Sequence, residues 1–140
     1  MDTSTKIAHL EMIQGVINRL GSNSFYIKGW GVALVSGLFA LAAKDSQAHF
    51  VYVALLPVLV FWFLDGYFLH QERLFRKLYD YVRVQPVDQI DFSMNLKPVL
   101  EGSESWLKVT FSKTLSIFHG VLLAAVVIVA IILTCKEMGG

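Results

Sequence analysis

Leu115–Cys135 reads LSIFHGVLLAAVVIVAIILTC, and from Val121 to Leu133 it carries no polar side chain. A helix needs ~20 apolar residues to cross about 30 Å of hydrocarbon, and this stretch has that length. Two other runs match it, Phe25–Ala43 (FYIKGWGVALVSGLFALAA) and Phe50–Leu69 (FVYVALLPVLVFWFLDGYFL). In a chain of 140 residues the function must be one that three short spans can carry. The expected class is an all-α membrane protein. It has an amphipathic N-terminal helix, three transmembrane helices, a cytoplasmic extension of the second helix, and a homo-oligomeric bundle as its assembled form.

The composition agrees. The chain is 55% hydrophobic and 16% charged, and the charges fall almost wholly outside the three runs, as a bilayer requires. A net charge of +1 predicts no nucleic-acid or acidic partner by global charge alone. The single cysteine, Cys135, excludes an intramolecular disulfide and a cysteine-based zinc site. It reads as a small apolar side chain at the end of a span. No basic region is followed by an apolar stretch and a small-residue cleavage site, so a cleaved signal peptide is not expected.

Four segments follow. Residues 1–24 read as an amphipathic helix at the cytoplasmic surface. Thr3 or Ser4 is its cap, Ile7, Leu10, Ile13, Val16, Ile17 and Leu20 form one apolar face, and Gly21 with Ser22-Asn23-Ser24 forms the stop and turn. Such a helix either lies on the membrane surface or serves as an oligomer contact or gate. Residues 25–70 read as a transmembrane hairpin joined through Lys44–His49. Pro57 is a candidate kink, and Trp62 and Tyr67 suit an interfacial belt. Residues 71–112 read as a cytoplasmic segment. Its helix continues the second span until Pro86 and is supported by Glu72/Arg76 and Asp80/Arg83 pairs. An ordered loop follows, with two short β-like stretches at Ile90–Phe92 and Leu107–Phe111. Residues 113–140 read as the third span and a short external tail.

Orientation comes from basic residues. Arg73, Arg76, Lys77, Arg83, Lys97, Lys108 and Lys113 lie between residues 71 and 113, whereas the short loop has only Lys44 and the tail only Lys136. The positive-inside rule therefore puts the N-terminus in the cytoplasm and the C-terminus outside.

The first span is rich in small residues. Gly29, Ala33, Ser36, Gly37 and Ala40 include two small-xxx-small pairs, which in lipid allow close backbone approach. They predict packing against protein, either the second span or another protomer. Asp65 is the lone acid within a span, which makes it a functional-site hypothesis by default. Either it pairs with Arg19 or Lys28 near the interface, or it forms a ring of acids at the inner mouth of a pore. His119 either hydrogen-bonds to a neighbouring helix, or lines a pore and senses pH. The basic turn Arg73, Arg76, Lys77 and Arg83 either binds lipid headgroups or holds a nucleotide or short oligonucleotide. In the second case Tyr79, Tyr81, Phe92 and Trp106 are placed to stack bases. The chain has no glycine-rich phosphate loop, no Ser/His/Asp set and no paired carboxylates in a common element. Its histidines share no ligand spacing. An enzyme, a metal site and a cofactor are not expected.

Three stretches carry a family resemblance. Ile17-Asn18-Arg19-Leu20, Asn23-Ser24-Phe25 and Lys28-Gly29-Trp30 lie in the first. Phe61-Trp62-Phe63-Leu64-Asp65-Gly66-Tyr67 is the second, and Gln71-Glu72-Arg73-Leu74-Phe75 follows it. Over most of the first 83 residues the chain resembles small bacterial membrane effectors of anti-phage defence, of the Hailong type, that are paired with a nucleotidyltransferase. The resemblance implies a homo-oligomeric, tetrameric ion channel in the bacterial inner membrane. Such a channel is controlled by a nucleic-acid-like messenger and arrests growth when open. The residues themselves keep two other readings open: a non-conducting adaptor that recruits a cytoplasmic partner, and a holin-like lesion former. The apparent order of residues 71–112 disfavours the last.

Overall fold

A computed structural model describes residues 2–45 and 47–140, which fold into helices and connecting turns with no strand among them. Met1 and Ser46, the latter within the expected Lys44–His49 connection, lie outside the described residues. The helices are α1 (Thr3–Asp45), α2 (His49–Val84), α3 (Lys97–Leu100), α4 (Trp106–Thr110) and α5 (Lys113–Gly139). A 3-10 turn at Val87–Gln89 lies between α2 and α3. α1, α2 and α5 are each long and apolar enough to cross a membrane.

The first correction to the sequence reading is α1 itself. No stop occurs at Gly21 and no turn at Ser22-Asn23-Ser24; the leader and the first span are one helix of 43 residues. A glycine inside a helix costs ~1 kcal/mol relative to alanine. Packing of α1 along α2 on both sides of Gly21 outweighs that local preference. The cap also differs from expectation. Asp2 precedes the helix, the Ser4 hydroxyl donates to its Oδ2 at 2.7 Å, and this bond leads in holding the Asp2 carboxyl below the ordinary range.

At 1.5 Å per residue α1 is about 65 Å long and α2 about 54 Å, both well beyond a hydrocarbon thickness of ~30 Å. They pair antiparallel. At the far end of the pair Lys6 donates to the carbonyls of Arg83 and Gln85 at 2.8 and 2.7 Å, which satisfies the open C-terminus of α2. α2 runs through Pro57 and stops at Val84, before Pro86, as expected. α5 packs along α2 and also touches α1 beside Gly31; α2, which contacts α1, α3, α4 and α5, is the central helix. Ties near the α1–α2 connection close the opposite end. Tyr52 and Thr134 hydroxyls meet at 2.8 Å, and the Ala48 amide donates to Glu137 at 2.7 Å.

Two apolar cores result. One lies between the spans and is built from Val35, Ala42, Val51, Ala54, Val58, Val126 and Ala130. The other joins the N-terminal part of α1 to the C-terminal part of α2 and to the following loop, through Ile13, Ile17, Leu78, Val82, Ile90 and Val99. That loop is ordered by side-chain to backbone bonds two residues apart. Asp91 accepts from the Ser93 amide, Ser93 from Asn95, and Asn95 from Lys97, each at 3.0 Å. Phe92 takes a left-handed conformation (φ 55°) and sets its ring edge-on to His9, 5.5 Å between centroids. The two β-like stretches are not strands. Ile90–Phe92 is irregular, and Leu107–Thr110 belongs to α4, which is started by the Ser105 hydroxyl accepting from the Lys108 amide.

Candidate functional site

Asp65 and His119, read separately from the sequence, form one site. α2 supplies Asp65, α5 supplies His119 and α1 supplies Lys28 and Ser24. Asp65 has no exposed surface and His119 only 1%. Burying a carboxylate is expensive unless each oxygen is satisfied, and here both are. Oδ1 accepts from the Ser24 hydroxyl. Oδ2 accepts from Lys28 at 2.5 Å and from His119 Nε2 at 2.7 Å. Lys28 also donates to Ser24 Oγ at 2.7 Å. Since Nδ1 of His119 is buried without a partner, the neutral tautomer with its proton on Nε2 satisfies this geometry. Lys28 and Asp65 then balance to zero charge.

Aromatic rings and α4 seal the cluster. The Trp62 ring stacks on His119 at 5.9 Å and 13°, and Lys28 sits 5.9 Å over the Phe118 ring. Trp62 is turned inward rather than lying only in an interfacial belt, and its Nε1 donates to the Thr110 carbonyl at 2.9 Å. Trp106 Nε1 donates to the Phe63 carbonyl at 3.2 Å. These bonds hold α4 across α2 at Gly66. A Cβ at position 66 would stand 2.7 Å from the Thr110 Cβ and 2.9 Å from its Cα, so only glycine fits the crossing.

The sequence anticipated Lys28 as a partner of Asp65, and the pair forms; the alternative, Arg19, takes no part. Ser24 was missed because it was assigned to a turn. Read as helix, Ser24 and Lys28 are four residues apart and share a face. Neither Asp65 nor His119 faces outward from the protomer, so a carboxylate open to a pore mouth is not what the single chain presents. Gly29, Ala33, Ser36, Gly37 and Ala40 are all exposed. The contact of α1 with the other spans runs instead through Gly31, Val35 and Ala42, where a Cβ on Gly31 would meet Phe61 at 3.4 Å and Leu122 at 3.7 Å.

The four basic residues divide between two places. Arg73 (3.4 Å from Glu104) and Lys77 (3.0 Å from Ser103 Oγ) face residues 103–104. With His70, Leu74, Ser103, Glu104 and Val109 they line a cleft of about 50 Å³. Arg76 pairs with Glu72 at 2.8 Å and Arg83 with Asp80 at 3.3 Å, both pairs as the helical spacing predicts. Arg76 borders a separate open groove of about 460 Å³ with Asn18, Ser22 and Tyr26. Of the aromatic residues considered for base stacking, Tyr79 and Phe92 pack onto the loop-end core. Tyr81 and Trp106 are 43% and 40% exposed.

Neither a protein-family model, nor a curated protein, nor a solved structure matches this chain.

Proposed function

We propose that the chain is the protomer of a homo-oligomeric ion channel that responds to a nucleotide or oligonucleotide signal at the end carrying residues 71–112. One observation carries the reading. The polar side chains among the spans close on one another, Asp65 on Ser24, Lys28 and His119, so the single protomer offers them no aqueous path. Conduction therefore requires an axis between copies. The exposed small residues of α1 give a face on which helices can approach closely in lipid, and a tetramer is the assembly the family resemblance favours. The same resemblance supplies the setting: the bacterial inner membrane, a paired nucleotidyltransferase, and growth arrest during phage infection; the basic residues between 71 and 113 supply the cytoplasmic N-terminus. The ordered segment that touches α2 beside the Asp65 cluster supports ligand control rather than simple lesion formation.

Ion flux through purified protein in liposomes tests this, with and without cyclic nucleotides and short oligonucleotides on the side of residues 71–112. Flux that changes with one of these is the expected result. Tight liposomes under every condition would replace the channel with an adaptor whose partner binds residues 71–112.

A further inference from the structure

Arg76 and Arg83 each pair with an acid of their own and Arg73 with Glu104, whereas Lys77 pairs with no acid. Among the residues lining the cleft between α2 and residues 103–104, one positive charge is left uncompensated. Lys77 has only a neutral partner, the Ser103 hydroxyl. The Arg73–Glu104 contact is a single long one of 3.4 Å between side chains 39% and 45% exposed, the kind of pair worth ~1 kcal/mol or less. His70, Arg73 and Lys77 follow i, i+3, i+7 spacing on one face of α2. The His70 Nε2 donates to the Glu104 carbonyl at 3.0 Å, which keeps the segment against the helix.

We propose that this cleft binds a phosphoryl group, with Arg73 and Lys77 as donors and Glu104 as the resident competitor. A phosphate dianion in place of the Glu104 carboxylate sets two negative charges against two positive ones. It also accepts the forked hydrogen bonds that arginine makes best. The cleft is small, about 50 Å³. It therefore takes one phosphoryl group, with the rest of the ligand lying outside. The inference rests on the reading of residues 71–112 as the ligand-responsive segment and gives that segment a site. Displacing Glu104 frees residues that lead directly into α4, whose Thr110 lies on Gly66 beside Asp65. A phosphoryl ligand at the cleft is thereby connected to the buried cluster through one short helix.

Calorimetric titration of the full chain in phosphatidylcholine nanodiscs with inorganic phosphate, against potassium chloride at matched ionic strength, is the test. Saturable binding is expected, loosened about tenfold in Arg73→Gln or Lys77→Gln and tightened severalfold in Glu104→Gln. The gain in Glu104→Gln cannot come from misfolding, and its absence would overturn the proposal, as would no binding beyond chloride. Phosphatidic acid added to the nanodiscs separates the sources. Competition with inorganic phosphate makes the ligand a lipid headgroup, and no competition makes it a soluble phosphoryl compound. Phosphate binding with tight liposomes would sink the channel and keep the cleft. Nucleotide-dependent flux unchanged in Lys77→Gln would sink the cleft and keep the channel.

Discussion

The core between the spans and the core at the loop end are built from different side chains. Between the spans every buried core residue is valine or alanine. At the loop end isoleucine and leucine join valine in the buried set; larger, partly buried side chains border both cores, Phe39, Phe50 and Leu122 the first and Phe75, Tyr79 and Met94 the second. The difference follows the solvent. Lipid tails are as apolar as leucine, so a large side chain gains nothing by turning inward, and small ones let helices approach. Many of the larger ones accordingly face out, among them Leu56 at 70%, Ile131 at 57% and Ile128 at 56% exposed. Around the loop end, burial of large apolar groups from water supplies the drive. Side-chain size inside the protein thus reports which medium lies outside it. The Asp65 cluster and the α4 crossing lie where the two regimes meet.

The largest effect should come from breaking that junction. Asp65→Ala leaves Lys28 and His119 without their shared acceptor and should destabilise by about 3–5 kcal/mol. Thermal unfolding in detergent measures it, and the double variant Asp65→Leu/Lys28→Met should recover most of the loss. A single variant as stable as the parent would mean the cluster is not closed. Gly66→Val drives a side chain into the backbone of α4 and should cost about 3 kcal/mol. Gly21→Ala, whose Cβ would meet only Glu72 Oε1 at 3.9 Å, should gain ~1 kcal/mol. Equal tolerance at the two glycines would remove α4 from its crossing.

A matched pair tests the two media directly. Val82→Ala at the loop end loses transfer energy as well as packing and should cost about 2 kcal/mol. Val58→Ala between the spans loses packing alone and should cost about 1 kcal/mol. Equal losses would mean both ends face the same solvent. The smallest effect belongs to His9. It is as buried as His119, yet neither ring nitrogen has a partner, and it packs edge-on to Phe92. His9→Phe should change stability by less than ~0.5 kcal/mol or raise it, because no hydrogen bond is given up. A clear loss in the same unfolding assay would show that His9 does more than fill the core.

Hydropathy alone located the three spans, because the cost of polar groups in lipid is felt residue by residue and needs no knowledge of neighbours. Helical spacing gave the Glu72/Arg76 and Asp80/Arg83 pairs for the same reason, since residues three or four apart meet in any helix. Spacing also brought Lys28 within reach of Asp65 once the hairpin was assumed. What the sequence determined is therefore the local part: the number of spans, the end of α2 before Pro86, and which side chains share a helix face. Only the tertiary structure decided that α1 continues through Gly21, that His119 meets Asp65 across 54 residues, that Gly66 is the glycine α4 cannot do without, and that the small residues of α1 face away from the chain's own spans. Each depends on how far one helix is rotated and slid against another. Packing over the whole length of the helices fixes those two quantities, and no single stretch of sequence encodes them.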